Sequence, residues 1–546
     1  MMSPLAVAQY LKHETLSFDL IVMDEASQLT PEESIGVIAR GKQLIVVGDP
    51  KQLPPTNFFN RVSTVSDGDD SFEDLMQESI LDACYGKMPE RMLQLHYRSR
   101  HESLIAYSNA NFYKGKLVVF PSPYPRSRHL GLQYNFISNG VYNNRQNQPE
   151  AMRVVDAVLD FMRNSTGDSL GVVSLNITQR DLIEELLEIR LQNHPECQEF
   201  RVRQEEKGEP LFIKNLENVQ GDERDVIFIS TTFGKAPGTS VVRQNFGPIS
   251  RGNGGRRLNV LFTRARKSVQ VFTSMQPSDI VIDQNSQEGT RHFRGYLEYA
   301  KNGYISNVID STGREPDSDF EVAVADMLTS KGYEIQPQVG VAGYFIDLAV
   351  RSPKRRNEYL VAVECDGASY HSGTSVRDRD RIRQEILEGL GWKGKVWRIW
   401  STDWFRNPHK ELARLIEFIK QKEAEVEREP APYYDEVDIE EQEAEAKVDE
   451  FKEDVTLREL VESYAKDEES VYVMLGDKVT YFEMGHPEAI KTIRIIGDEE
   501  EVNTGEVVES KPLAQALLNA EQGDECELFV IGHPVKLLKI VKIERI

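Results

Sequence analysis

The chain has 546 residues, 40% of them hydrophobic and 28% charged, with a formal net charge of −24. That length asks for several domains, since one typically takes about 100–200 residues. No apolar run approaches the roughly 20 residues of a membrane span, and the opening MMSPLAVAQYLKHE has no basic stretch followed by an apolar core, so no signal peptide is read. Cys84, Cys197, Cys365 and Cys526 lie far apart without metal-ligand spacing. This suggests a reducing, cytoplasmic setting and argues against a structural zinc. An acidic total usually argues against nucleic-acid binding. Here the acid is concentrated in residues 421–470, whereas RRLNVLFTRARK (256–267) and RDRDRIRQ (377–384) are basic, and local patches decide phosphate binding.

In chain order, SPLAVAQYL, FDLIVMDEA, PEESIGVIAR and QLIVVGDP alternate helix-like and strand-like pieces, the pattern of a parallel α/β sheet. A polar loop and a helix follow over 61–87. From 88 the α/β pattern repeats to about 310, with strands expected at LGVVSLN (170–176), RDVIFISTTF (224–233) and VQVFTS (269–274), a helix at ITQRDLIEELLEIRLQ, and a Gly-rich loop over 235–256. Residues 315–420 read as a compact α/β/α unit: helix FEVAVADMLTSKGY, paired strands YFIDLAV and YLVAVECD, helix RDRDRIRQEILEGLGW and strand KVWRIWS. Trp392, Trp397, Trp400 and Trp404 are expected to pack in its core and edge. Residues 421–468 form an acidic, helix-prone linker. Residues 469–546 turn to short strands around a helix, PLAQALLNA, a small mostly-β domain.

Two stretches in the first 60 residues carry chemistry. FDLIVMDEASQ (18–28) runs four apolar residues into Asp24 and Glu25. Acids there stand at the carboxyl edge of a parallel sheet, where ligands bind: one can hold Mg²⁺ and the next can orient or deprotonate a water. The second strand, LIVVGDPKQLPP (44–55), would bring Asp49 and Gln52 to the same edge.

At this point the chain resembles the superfamily 1 helicases. DEAS looks like motif II, GDPKQLPP like motif III, LQLHYRSRHESLIAYSNANFY (93–113) like motif IV, ENVQGDERDVIFIS (217–230) like motif V and RRLNVLFTRAR (256–266) like motif VI. The resemblance implies two RecA-like domains, the first partial (1–87) and the second at 88–310, using ATP and Mg²⁺ and acting on DNA or RNA. It assigns Asp24 to the metal and Glu25 to the attacking water. Gln52, beside Asp49, would sense the γ-phosphate, Gln220 and Glu223 would lie at the nucleotide with Glu223 on the ribose, and Arg98 and Arg264 would be arginine fingers. The logic holds without the name, because a transferring phosphoryl group needs fixed, permanently charged cations aimed at its oxygens. The phosphate-cradling GxxxxGK[ST] occurs nowhere in the 546 residues. The expectation is therefore that the chain alone does not hydrolyse ATP, whether an upstream segment or a partner chain supplies that loop or the ATP chemistry is lost and the remnant is kept for binding.

A second constellation lies at 321–384. Glu321 sits on the first helix, Asp347 is read as ending the strand YFIDLAV, and Glu364 and Asp366 end YLVAVECD. Neighbouring strands would gather Asp347, Glu364 and Asp366 into an oxygen-rich cage suited to Mg²⁺, which can activate water and stabilise charge on a scissile phosphate. ECDGASYH (364–371) resembles the PD-(D/E)XK, restriction-endonuclease-like nucleases, nearest the very-short-patch repair branch. Asp366 stands where that pattern places lysine, which leaves His371 as a candidate proton-handling group.

The stretch EVNTGEVVESKPLAQALLNAEQGDECELFV (501–530) resembles the C-terminal, FKBP-like domain of Gre-type elongation factors, and implies docking on RNA polymerase. The combined expectation is a helicase fused to a metal-dependent DNA endonuclease. The rivals are a nuclease whose helicase part only grips DNA, and a non-enzymatic adaptor between nucleic acid and RNA polymerase.

Overall fold

The computed structural model describes residues 1–11, 16–55, 79–305, 314–366 and 374–428 apart from single positions 128, 166, 240, 285 and 356, and, further on, 473, 476–483, 489–496, 505–508, 511–517, 525–528 and 536–544. Two compact units emerge. One comprises Met1–Asn139, Pro149–Thr232 and Gly247–Glu445, the other Gly140–Gln148, Phe233–Phe246 and Ala446–Ile546.

The first unit opens with α1 (Pro4–Tyr10). Strands β1 (Ile21–Met23) and β2 (Leu44–Val46) pair in parallel, with α2 (Pro31–Ile38) between them. The start of α2 is written in TPEE: Pro31 takes the first turn, where no backbone N–H is needed, and Thr30 and Glu33 cap each other reciprocally. Helix α3 (Ile80–Cys84) begins with the same device from Ser79 and Asp82. A short parallel pair, β3 (Leu95–His96) and β4 (Val118–Val119), brackets α4 (Ser103–Asn111).

Five parallel strands then form one sheet: β5 (Gly131–Phe136), β6 (Leu170–Ser174), β7 (Phe212–Asn215), β8 (Arg224–Ser230) and β9 (Ala265–Thr273), in the order β5-β9-β8-β6-β7. Helices α5 (Gln148–Asn164), α6 (Ile177–Leu191), α7 (Glu196–Glu206), α8 (Gly254–Phe262) and α9 (Glu288–Asn302) accompany it. The central strands are continuous Val/Ile runs because both faces are covered, and Val172, Val173, Ile227 and Val269 have no exposed surface. Each such side chain contributes about 1.5–3 kcal/mol of burial. The sequence pattern marks neither β5 nor β7. Each lies at an end of the sheet and carries polar residues that interrupt the apolar run.

At the carboxyl edge of this sheet Glu150 is fully buried. It accepts hydrogen bonds from the Ser230 hydroxyl (2.7 Å), the Thr232 N–H (2.6 Å) and the Ser274 hydroxyl (2.7 Å). Burial pushes its carboxyl up from 4.5 to about 7, against those donors. The folded chain therefore holds this proton more tightly than the unfolded one. The associated stability is present below about pH 4.5 and is lost as pH rises through about 7. Glu150→Gln is expected to be stabilised relative to wild type by more at pH 8 than at pH 5, which chemical denaturation at the two pH values measures.

A four-stranded sheet follows, ordered β10 (Ile335–Val339), β11 (Ile346–Arg351), β12 (Tyr359–Asp366) and β13 (Val396–Trp400). The first two pairings are antiparallel and the last parallel. Helices α10 (Asp319–Thr329), α11 (Thr374–Leu387), α12 (Ser401–Arg406) and α13 (Pro408–Arg428) flank it. The sequence pattern does not mark β10 either, because Pro337 breaks it; an edge strand tolerates proline. Trp392 and Trp404 are buried as expected of packing residues, whereas Trp400 is 40% exposed. Helix α13 runs into the acidic stretch as far as Arg428, and the rest of that expected linker lies outside the described residues.

In the second unit, β14 (Lys478–Glu483), β15 (Lys491–Ile496), β16 (Glu506–Val508), β17 (Glu525–Leu528) and β18 (Lys536–Glu544) form a sheet ordered β16-β15-β14-β18-β17, with α14 (Pro512–Leu517). Val479, Ile495, Leu538 and Ile540 make its core with Ala514 and Leu517 from the helix. Among the described residues no helix is long and apolar enough to cross a membrane.

Candidate functional site

Strand β1 delivers Asp24 and Glu25 to the sheet edge. Val47 N–H donates to Met23 O (2.7 Å) and Ala26 N–H to Val47 O (2.9 Å), which ties the two strand ends together. Glu25 is left-handed at φ 52°, a conformation that costs a non-glycine residue of order 1–3 kcal/mol. Its carboxylate accepts from Gln28 Nε2 (3.1 Å), and Asp24 Oδ1 accepts from the Glu25 N–H (2.9 Å). Asp49 is held more firmly. It accepts from Lys51 N–H (2.8 Å), from Gln52 Nε2 (3.2 Å) and from the Tyr113 hydroxyl (2.6 Å). Asn259, on α8, donates to both Tyr113 Oη and Lys51 O at 3.0 Å. Gln52 thus spends its amide on Asp49.

Arg264 is buried. Its Nε donates to Val260 O (2.8 Å) and its Nη2 to Thr263 Oγ1 (3.2 Å). Burial holds its pKa below the usual value; Arg98 adds repulsion, while Glu25, Tyr113 and Glu223 pull the other way. The predicted residues Glu25, Arg98, Glu223 and Arg264 are therefore electrostatic neighbours. Glu223, expected on a ribose, sits in this nucleotide-free chain between two guanidinium groups: Arg98 at 3.3 Å and Arg266 at 3.4 Å. Gln220 Nε2 is buried with no hydrogen-bond partner among the described residues.

The second candidate centre stands on the β11–β12 ladder. The register Leu348↔Val363 sets Asp347 beside Glu364, and the two-residue period of a strand puts Glu364 and Asp366 on one face. Asp347 Oδ2 accepts from the Cys365 N–H (2.7 Å), and Glu364 Oε1 from the Tyr344 hydroxyl (2.9 Å). Arg398 Nη1, from β13, lies 3.7 Å from Asp366. Burial raises Asp347 to about 6, with Glu321 and Asp366 adding repulsion after the Cys365 bond opposes it. Burial and then Asp347 raise Glu364 to about 7. Asp366 Oδ2 is buried with no hydrogen-bond partner among the described residues. Glu321, by contrast, is occupied: it accepts from Asp317 N–H (2.9 Å), Ser318 Oγ (2.8 Å) and Gln338 Nε2 (2.8 Å). Among the described residues no group of three His, Cys, Asp or Glu is already spaced to hold a metal. His371 lies outside the described residues.

Tyr113, Asn259, Tyr344 and Arg398 were not singled out from sequence. Tyr113 and Asn259 fall inside the quoted motifs, but nothing in a linear pattern tells which member bridges two distant segments.

The residues matched by family models follow this layout. Residues 3–59 match AAA_11 and residues 69–276 match AAA_12, both described as AAA domains, and residues 320–419 match REase_MTES_1575. The chain thus carries helicase-type AAA domains and a restriction-endonuclease-type domain. The relatives are more particular. The ATP-dependent helicase MG140 homolog of Mycoplasma pneumoniae is 31% identical over 432 residues, covering 75% of this chain and 37% of that protein. Helicase MG140 of Mycoplasma genitalium is 31% identical over 420 residues, covering 73% and 36%. The chain therefore spans little more than a third of the length of these relatives. A GreA/GreB elongation factor from Nitrosomonas europaea is similar over 16% of this chain and 77% of its own, at 18% identity and a TM-score of 0.13, too low to carry an argument.

Proposed function

We propose that this chain is the nucleic-acid-processing portion of an ATP-dependent superfamily 1 helicase that bears a metal-dependent DNA endonuclease domain. The observation that carries the reading is that Asp347, Glu364 and Asp366 stand on adjacent strands, with Arg398 Nη1 3.7 Å from Asp366 Oδ2, an oxygen that is buried with no hydrogen-bond partner among the described residues. Carboxylates such as Asp347 and Glu364, raised by burial and by neighbouring acids, are stabilised by a divalent cation. Asp347, Glu364 and Asp366 would hold Mg²⁺, which when bound supplies an activated water and neutralises charge on the scissile phosphate. Arg398 restrains Asp366, and Tyr344 orients Glu364.

In the motor, Asp24 would hold the nucleotide's Mg²⁺, Glu25 would position the attacking water, and Arg98 and Arg264 would face the phosphates. Asp49, with Gln52, Tyr113 and Asn259, joins the DPKQ turn to α8, a path by which the cleft can sense nucleotide. With no GxxxxGK[ST] in the sequence, the purified chain is expected to show no nucleic-acid-stimulated ATPase. Phosphate release that DNA stimulates and Glu25→Gln abolishes would refute this. The same observation favours a second reading, a nuclease whose helicase part grips DNA without moving along it. Cleavage lost in Asp347→Ala, intact in Arg264→Ala and indifferent to added ATP distinguishes that reading. Docking on RNA polymerase through the C-terminal sheet rests on the sequence resemblance alone.

A further inference from the structure

The segment that follows α4 does not stay with the five-stranded sheet. From β4 to Tyr124 it lies along the endonuclease-type domain, bonded to it through three backbone groups. Val119 N–H donates to Ala342 O, Trp392 Nε1 to Pro121 O and Tyr359 N–H to Pro123 O, each at 2.8 Å. Between these bonds Phe120, 2% exposed, enters a core made by Val339, Ile346, Ala362, Leu390 and Trp392. Phe120 belongs to the stretch matched by the AAA_12 model, yet it fills the core of the other domain.

One neighbour gives this burial a chemical consequence. The ring of Phe120 lies 4.4 Å from that of Tyr344, centroid to centroid, with the planes inclined at 32°. Tyr344 spends its hydroxyl on Glu364. Gly343, just before it, is left-handed at φ 72° and so close to Val118 that an added Cβ would come within 3.1 Å of Val118 Cγ2. The turn presenting Tyr344 is therefore moulded to β4. A glutamate has three side-chain torsions, and its carboxylate is oriented only as well as the partner that bonds it. A tyrosine has two, and here one aromatic face is set by Phe120.

We propose that Phe120 is a positioning residue for Glu364, acting through Tyr344, so that the endonuclease centre is assembled jointly by the helicase-type and endonuclease-type segments. The proposal rests on the metal-dependent reading of that centre. The arrangement makes the endonuclease sensitive to any movement of the segment carrying Phe120, which begins a few residues beyond Tyr113.

The test uses the full chain and Mn²⁺ as the probe, with binding read by electron paramagnetic resonance. Tyr344→Phe, which keeps the ring and removes the hydroxyl, is expected to weaken Mn²⁺ binding about tenfold, the scale of losing a partner that orients a ligand. Phe120→Leu is expected to weaken it several-fold, and the double variant no more than Tyr344→Phe alone. Leu390→Ala, a cavity in the same core, is expected to stay within about twofold of wild type. Wild-type affinity in Phe120→Leu, multiplication of the two losses in the double variant, or an equal loss in Leu390→Ala would each overturn the proposal. If Asp347→Ala binds Mn²⁺ as wild type does, the metal reading itself fails. The positioning role is still decided by the carbon-13 resonance of the Glu364 carboxyl, assigned by its loss in Glu364→Gln. Phe120→Leu should move it in the same direction as Tyr344→Phe, and an unmoved resonance sinks the proposal.

Discussion

Asp347→Asn is expected to reduce Mg²⁺-dependent DNA cleavage by about a thousandfold or more, while leaving the fold intact. On the proposed reading the site holds a divalent ion, and removing one of its carboxylates then forfeits several kcal/mol of transition-state stabilisation, each 1.4 kcal/mol being a factor of ten. Asparagine keeps the acceptor that Cys365 N–H uses at 2.7 Å, so the strand pairing should survive. The substitution should also raise stability at pH 8. Asp347 is pushed up to about 6 by burial, with Glu321 and Asp366 repelling it, so above that pH its charge opposes folding in the metal-free chain. Lost cleavage together with a raised melting temperature is the signature of a residue kept for chemistry rather than for packing. Cleavage at the wild-type rate by Asp347→Asn would remove this centre from consideration.

Trp392→Ala carries the largest expected effect on stability, about 3–5 kcal/mol for a fully buried tryptophan. The indole has no exposed surface, and its Nε1–H is bonded to Pro121 O at 2.8 Å. Its backbone approach is also restricted. Gly391, at φ 111°, lies so close to Tyr124 that a Cβ there would collide with the ring. Because Pro121 and Tyr124 belong to the segment running on from β4, the damage should not stay local. Limited proteolysis of Trp392→Ala is expected to open sites in 115–130 as well as in 330–400. Trp392→Phe, which keeps most of the volume and loses one hydrogen bond, should cost much less, near 1 kcal/mol for the bond plus the volume lost. An unfolding midpoint in Trp392→Ala equal to that of wild type would mean that the two segments share no core.

Much of the candidate chemistry could be read from residues in order. The acids of DEAS and of VECD stand out because polar side chains end uninterrupted apolar strands, whereas the arginines of HYRSR and FTRAR are picked out only by the resemblance to helicase motifs IV and VI. Among the strands the sequence pattern does not mark, β5, β7 and β10 are diluted by polar residues or proline at sheet edges, and β3, β4 and β16 are only two or three residues long. An edge strand has fewer apolar neighbours to satisfy, so its sequence is under less constraint.

What the sequence determined by itself was therefore local: the Val/Ile runs that must be buried, the Thr30 and Ser79 caps, and the acids that follow buried strands. Strand periodicity already implied that Glu364 and Asp366 share a face. Tertiary structure alone decided the partners. It set Glu223 between Arg98 and Arg266, closed Asp49 onto Tyr113 and Asn259, and carried Phe120 into the core beside Tyr344. Hydrophobic patterning is a property of neighbours along the chain and survives in a string of letters. A contact across 200 residues depends on how whole elements pack, and no short stretch of sequence holds that information.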